Sequence, residues 1–158
     1  MLDAKIQNAL KSFFLSTDML IDKEIIRSSK YTADIAEYLS EKIYGLTLCD
    51  SQREPGYEGW DIDNKKYQIK INNSKKKTNQ DIGNPELYDF LILLITSNSK
   101  LYNRQESNHF IVVYKISSSA LKDQKYIAKK DILQLVPDYF ISLNFDIIKN
   151  KTNTLKSK

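Results

Sequence analysis

The stretch Gly59-Trp60-Asp61-Ile62-Asp63-Asn64-Lys65-Lys66-Tyr67-Gln68-Ile69-Lys70-Ile71 decides how the chain is read. Lys66 to Ile71 alternates strictly between polar and apolar residues, which is the period of a strand with one buried face. Tyr67, Ile69 and Ile71 form the apolar side, and Lys66, Gln68 and Lys70 the polar side. Asp63-Asn64-Lys65 has turn chemistry, so Gly59 to Ile62 is expected to run back against this strand as a hairpin. Period-2 alternation places Gln68 and Lys70 together, and paired strands lie close enough for Asp61 to reach the same face. A carboxylate, an amide oxygen and an ammonium are thereby expected at one spot.

Working outward, the residues before the hairpin read as helical. Leu2, Ile6, Leu10, Phe13 and Phe14 recur at helical spacing, and Asp18 to Arg27 is expected to form a second short helix. Tyr31 to Tyr44 is the clearest helix, with Thr32 as N-cap and Gly45 as the stop. Ile35, Ala36, Leu39 and Ile43 make its apolar stripe, while Asp34, Glu37 and Glu41 fall on the opposite side. Ser51 to Glu58 reads as a polar loop.

Beyond the hairpin, Asn72 to Pro85 is a polar loop that carries Lys75-Lys76-Lys77. Leu87 to Thr96 and Phe110 to Ile116 read as apolar strands, the first buried on both faces. Ser117 to Asp123 reads as a short serine-capped helix, and Asp131 to Phe145 is ambiguous around Pro137. Helices first and then several strands predict an α+β fold, a mixed sheet with helices packed on it. Residues 1–150 are expected to form a single domain and 151–158 a flexible basic tail.

Length and composition fit that reading. The chain has 158 residues, 41% hydrophobic and 28% charged, an ordinary globular balance. The longest apolar run, Phe90 to Ile95, is strand-sized, so no membrane span is expected. The start of the chain has no secretory layout, and Cys49 is the single cysteine. Those features exclude an intrachain disulfide and a cysteine-based zinc site, and a cytoplasmic location is expected. There is no Gly-rich phosphate loop, so no nucleotide cofactor is expected. His109, the single histidine, has no second His or Cys nearby and is not expected to act in catalysis.

The charge is uneven. Net charge is +4, yet Lys65 to Lys77 holds six lysines without an acid, and the end of the chain is also acid-free and basic. The rest of the chain is therefore net negative. Localised positive charge of this kind is the footprint of a phosphate-binding surface, here Lys66, Lys75, Lys76 and Lys77.

The expected cluster suits phosphodiester hydrolysis. Mg²⁺ takes oxygen ligands, and Mn²⁺ is a natural substitute. Asp61 would be the main charged ligand, Gln68 would add an oxygen, and Glu37 would supply a second carboxylate if its helix face meets the sheet edge. Lys70 would sit near the attacking water and the phosphate. Glu58 and Asp63 are the rival carboxylates, one in the loop and one in the turn.

Gly59-Trp60-Asp61-Ile62 followed by Tyr67-Gln68-Ile69-Lys70 resembles the PD-(D/E)XK nuclease superfamily, in the form with Gln in place of the second acid. Ala33 to Leu39 resembles the preceding helix that often carries a Glu. The resemblance runs from about Tyr31 to Ile116. It implies a restriction-endonuclease-like sheet flanked by helices, a Mg²⁺-dependent DNA endonuclease with Asp61, Gln68, Lys70 and Glu37 in its site, and homodimerisation. The alternative is an inactive DNA-binding or protein-interaction module on the same scaffold. Gln68→Glu restores the acid of the commoner form and is expected to be tolerated.

Overall fold

The computed structural model describes residues 1–25, 31–50, 56–106 and 108–152. Among them are three helices and two sheets, a mixed α/β arrangement. Helix α1 spans Ala4–Asp22 and α2 spans Thr32–Tyr44. The strands are β1 (Thr47–Leu48), β2 (Gly59–Trp60), β3 (Lys66–Asn72), β4 (Asn79–Asp81), β5 (Phe90–Thr96), β6 (Ile111–Ser117), β7 (Tyr126–Ala128), β8 (Tyr139–Ile141) and β9 (Ile147–Lys149). The short helix α3 covers Lys129–Ile132.

The main sheet has seven strands in the order β1-β2-β3-β5-β6-β8-β9. Only β3 and β5 pair in parallel, so the segment between them must cross over. That crossover holds β4, which pairs with β7 in a separate small sheet. Leu91 to Ile95 of β5 are fully buried, as an apolar run covered on both faces should be. One face of the main sheet carries Tyr67, Ile69, Ile92 and Leu94 and packs under α1 and α2 through Phe14, Ala36 and Leu39. The other carries Leu91, Leu93 and Ile95 and packs under Ile82, Tyr88, Leu121, Ile127 and Ile132.

Several elements differ from the sequence expectation. Asp18 and the residues after it continue α1 instead of starting a new helix, because neither Gly nor Pro interrupts Ser16 to Asp22. Ile26 and Arg27 lie outside the described residues, as do residues 51–55 of the expected polar loop and 153–158 of the expected tail. Thr32 is the first residue of α2 rather than its cap, which is Tyr31. Gly45 ends the helix as expected: its φ of +65° is left-handed and its N–H returns to Glu41 O at 2.8 Å. Pro85–Leu87 is a 3-10 turn, so β5 starts only at Phe90. Ser118–Leu121 is also 3-10, and no Ser117 side-chain bond caps it.

Candidate functional site

The hairpin register decides which carboxylate meets Gln68 and Lys70. Gly59 faces Tyr67 and Trp60 faces Lys66, and the Asp61 N–H donates to Lys65 O at 3.1 Å. Directly opposed residues share a face, so Asp61 lies on the side of Tyr67, away from Gln68 and Lys70. Its carboxylate is spent there on the turn. It accepts from Asp63 N (2.9 Å), Lys65 N (3.0 Å) and the Tyr67 hydroxyl (2.9 Å). Burial works to raise its proton affinity, but the Lys65 amide, the Tyr67 hydroxyl, the Asp63 amide and the Lys115 ammonium together hold the carboxyl below its ordinary value. Asn64 at the tip adopts φ +59°, which Asn tolerates well. The expectation that Asp61 joins the cluster is therefore corrected: it is the acceptor that closes the hairpin.

Glu58 takes the place expected for Asp61. Its backbone is fixed between two strands, with its N–H donating to Tyr67 O at 2.8 Å and its carbonyl accepting from Cys49 N at 2.9 Å. The β2–β3 ladder ends here, and the Glu58 side chain continues it. Its Oε2 accepts from Ile69 N at 2.5 Å, a charge-assisted bond in place of a backbone carbonyl. Gln68 lies alongside, buried at 6% exposure. With the amide oriented so that donors meet acceptors, its Nε2 donates to Glu58 Oε2 (2.7 Å) and Gly56 O (3.2 Å), and its Oε1 accepts from Lys70 Nζ (3.0 Å). The opposite amide orientation would aim oxygen at a carboxylate and a carbonyl, and NH2 at an ammonium.

Two glycines with left-handed backbone lie beside this arrangement. A Cβ at Gly56 would come within 2.5 Å of Leu87, and its φ is +88°. Gly83, with φ +69°, lies beside the Gln68 amide, where a Cβ would sit 3.4 Å from the amide atom that faces Lys70. Helix α2 packs along β3 and brings the half-buried Glu37 within electrostatic reach of Lys70 and Glu58. Glu37 is held above the ordinary carboxylate range by burial, then by Asp34, with Lys70 opposing. Glu58 is also raised, by burial first and by Glu37, against the Ile69 amide and Lys70. Both half-buried carboxylates thus feel the Lys70 ammonium, whose direct partner is the Gln68 amide oxygen.

No protein-family model matches the chain, and no curated protein matches it.

Of the expected site residues, the structure brings Gln68 and Lys70 together, with Glu37 of α2 within electrostatic reach of Lys70, holds Asp61 in the turn on the Tyr67 side and adds Glu58. The signal for Glu58 was present in the hairpin. Counting outward from the Asp63-Asn64 turn sets Asp61 against Lys65 and places Glu58 next to Gln68.

The expected DNA-binding lysines fall at both ends of β3. Lys66 is exposed, with Nζ 4.9 Å from the Tyr57 ring. Lys75, Lys76 and Lys77 are exposed on a built turn. Ser74 Oγ accepts from the Lys76 and Lys77 amides (3.2 and 3.1 Å), and Asn72 Oδ1 anchors Ser74 N (3.1 Å) and Ser99 Oγ (2.6 Å). Lys75 is engaged by Asp22 of α1 at 3.1 Å. Between the turn, α1 and the start of α2 lies a cleft of about 590 Å³ that also takes in Asp18 and Thr32. No described helix is long and apolar enough to cross a membrane.

Proposed function

We propose that the chain is a divalent-metal-dependent DNA endonuclease on a restriction-endonuclease-like scaffold, with Glu37, Glu58, Gln68 and Lys70 as its site. The observation that carries the reading is the convergence of the Glu58 carboxylate, the Gln68 amide and the Lys70 ammonium where the β2–β3 ladder ends, with the Glu37 carboxylate of α2 within electrostatic reach. Two half-buried carboxylates with raised proton affinity offset by a single lysine make a spot that favours a further cation.

The donor set fits Mg²⁺ or Mn²⁺, which take hard oxygen ligands. Glu58 and Glu37 would hold the ion, and Asp61 would not. When bound, such an ion acidifies a water and offsets charge on a phosphoryl oxygen. The chain's own groups have separate tasks. Lys70 would present its ammonium to a phosphate, held in place by the Gln68 amide oxygen. Lys66 at one end of β3 and Lys76 and Lys77 beyond the other would take flanking phosphates. Lys75, already paired with Asp22, would contribute less. DNA as the partner, homodimerisation and a cytoplasmic setting belong to this proposal.

Incubation of the purified chain with supercoiled plasmid and Mg²⁺ or Mn²⁺ tests it. Nicked or linear product that disappears with chelator supports it. Salt-sensitive retention of DNA without any cutting would leave a binding module on the same scaffold.

A further inference from the structure

We propose that Gln68 is a positioning residue, whose amide NH2 fixes the Glu58 carboxylate while its amide oxygen holds the Lys70 ammonium. The catalytic consequence rests on the nuclease reading above; the geometry does not. All of the amide's polar groups are engaged: Nε2 with Glu58 Oε2 at 2.7 Å and Gly56 O at 3.2 Å, Oε1 with Lys70 Nζ at 3.0 Å. A second donor, Ile69 N, reaches the same Glu58 oxygen at 2.5 Å. The carboxylate is thus held by two donors from adjacent residues of β3, one from the backbone and one from a side chain. The amide also separates Glu58 from Lys70. Without it, the acid and the ammonium are free to close on each other as an ion pair and cancel the charges that a phosphate and a cation would meet.

This changes the role expected of Gln68. As a metal ligand its useful atom would be Oε1, and Glu would serve as well or better. As a donor to Glu58 its useful atom is Nε2, and Glu is the wrong residue. In Gln68→Glu an unprotonated oxygen would replace Nε2, facing a carboxylate oxygen and the Gly56 carbonyl.

The test uses the full chain, isotope-labelled, in metal-free buffer. Gln68→Met removes both amide groups at similar volume, and Gln68→Glu, read at a pH where both carboxyls are ionised, removes only the donor. The readout is exchange of the Ile69 amide proton, with the central β5 amides as an internal measure of global stability. Loss of the second donor frees Glu58 to leave Ile69. Ile69 exchange should therefore quicken on the order of tenfold or more in both variants, while β5 holds. Ile69 exchange within about twofold of the parent in the folded variants would overturn the proposal. If the Met variant does not fold, the Glu variant decides alone.

Plasmid nicking with Mg²⁺ gives the second arm. In a parent that cuts, both variants should lose on the order of tenfold or more in kcat with KM nearly unchanged. Parental kcat in both would overturn the catalytic consequence. A parent that never cuts, with Ile69 responding as expected, sinks the nuclease reading and leaves the positioning role standing.

Discussion

Replacing Asp61 with Ala should cost the fold stability without disturbing the charged cluster on the far face of β3. The carboxylate accepts three hydrogen bonds, from Asp63 N, Lys65 N and the Tyr67 hydroxyl. The two amides sit at an exposed turn, where water replaces the lost acceptor, so each contributes about 0.5 kcal/mol. Tyr67 is only 2% exposed, and its hydroxyl loses a charged partner, which costs about 1–2 kcal/mol. The sum is roughly 2–3 kcal/mol. Asp61→Asn keeps an acceptor for the turn and should cost roughly 1 kcal/mol or less. Urea unfolding measures both, with the midpoint moving and the slope unchanged. Pairing Asp61→Ala with Tyr67→Phe in a double-mutant cycle should give a coupling of about 1 kcal/mol. An Asp61→Ala protein as stable as its parent, with no coupling to Tyr67, would refute the turn-closing role.

Other predictions follow from the same geometry. Glu37 and Glu58 have folded-state proton affinities above their ordinary 4.5, so the native state binds more protons than the unfolded chain. Their contribution to stability is therefore present below that value and lost as pH rises through the raised folded values. Denaturation in metal-free buffer from pH 4.5 upward should show the decline, and Glu58→Gln should flatten it. Gly56→Ala must push Leu87 aside and sits at φ +88°, so it should cost about 1–3 kcal/mol by thermal or urea unfolding. Changing Lys76 and Lys77 to Ala should weaken DNA binding for all sequences alike. The same change should flatten the salt dependence by about 0.9 log unit for each phosphate no longer neutralised. Lys75→Ala should do less, because Asp22 already holds that charge; an equal effect from Lys75 would argue against this division.

Much of the fold could be read from local pattern. The alternation at Lys66 to Ile71 marks β3, the apolar runs mark β5 and β6, and Gly45 marks the end of α2. The short strands β4, β7, β8 and β9 have three residues each, too few to establish a period. They owe their extended form to pairing with distant segments, which local propensity does not report. The site was legible in part for a related reason. Gln68 and Lys70 share a strand, and period 2 alone places them together. Glu37 needed the packing of α2 along β3. Asp61 and Glu58 differ by three residues in a short hairpin, and an odd step moves a carboxylate to the opposite face. Alternation alone leaves the hairpin register open, and the register sets Asp61 against Lys65 and the Tyr67 hydroxyl.

In the proposed site Glu58, not Asp61, is the acid that works with Lys70. The most direct measurement is plasmid nicking in Mg²⁺ by the parent, Glu58→Gln and Asp61→Asn at matched folded concentrations. The expected result is cutting by the parent, a loss on the order of 10²-fold or more for Glu58→Gln, and activity within a few-fold of the parent for Asp61→Asn. Cutting by Glu58→Gln at the parental rate, or collapse of Asp61→Asn while it remains folded, would contradict it.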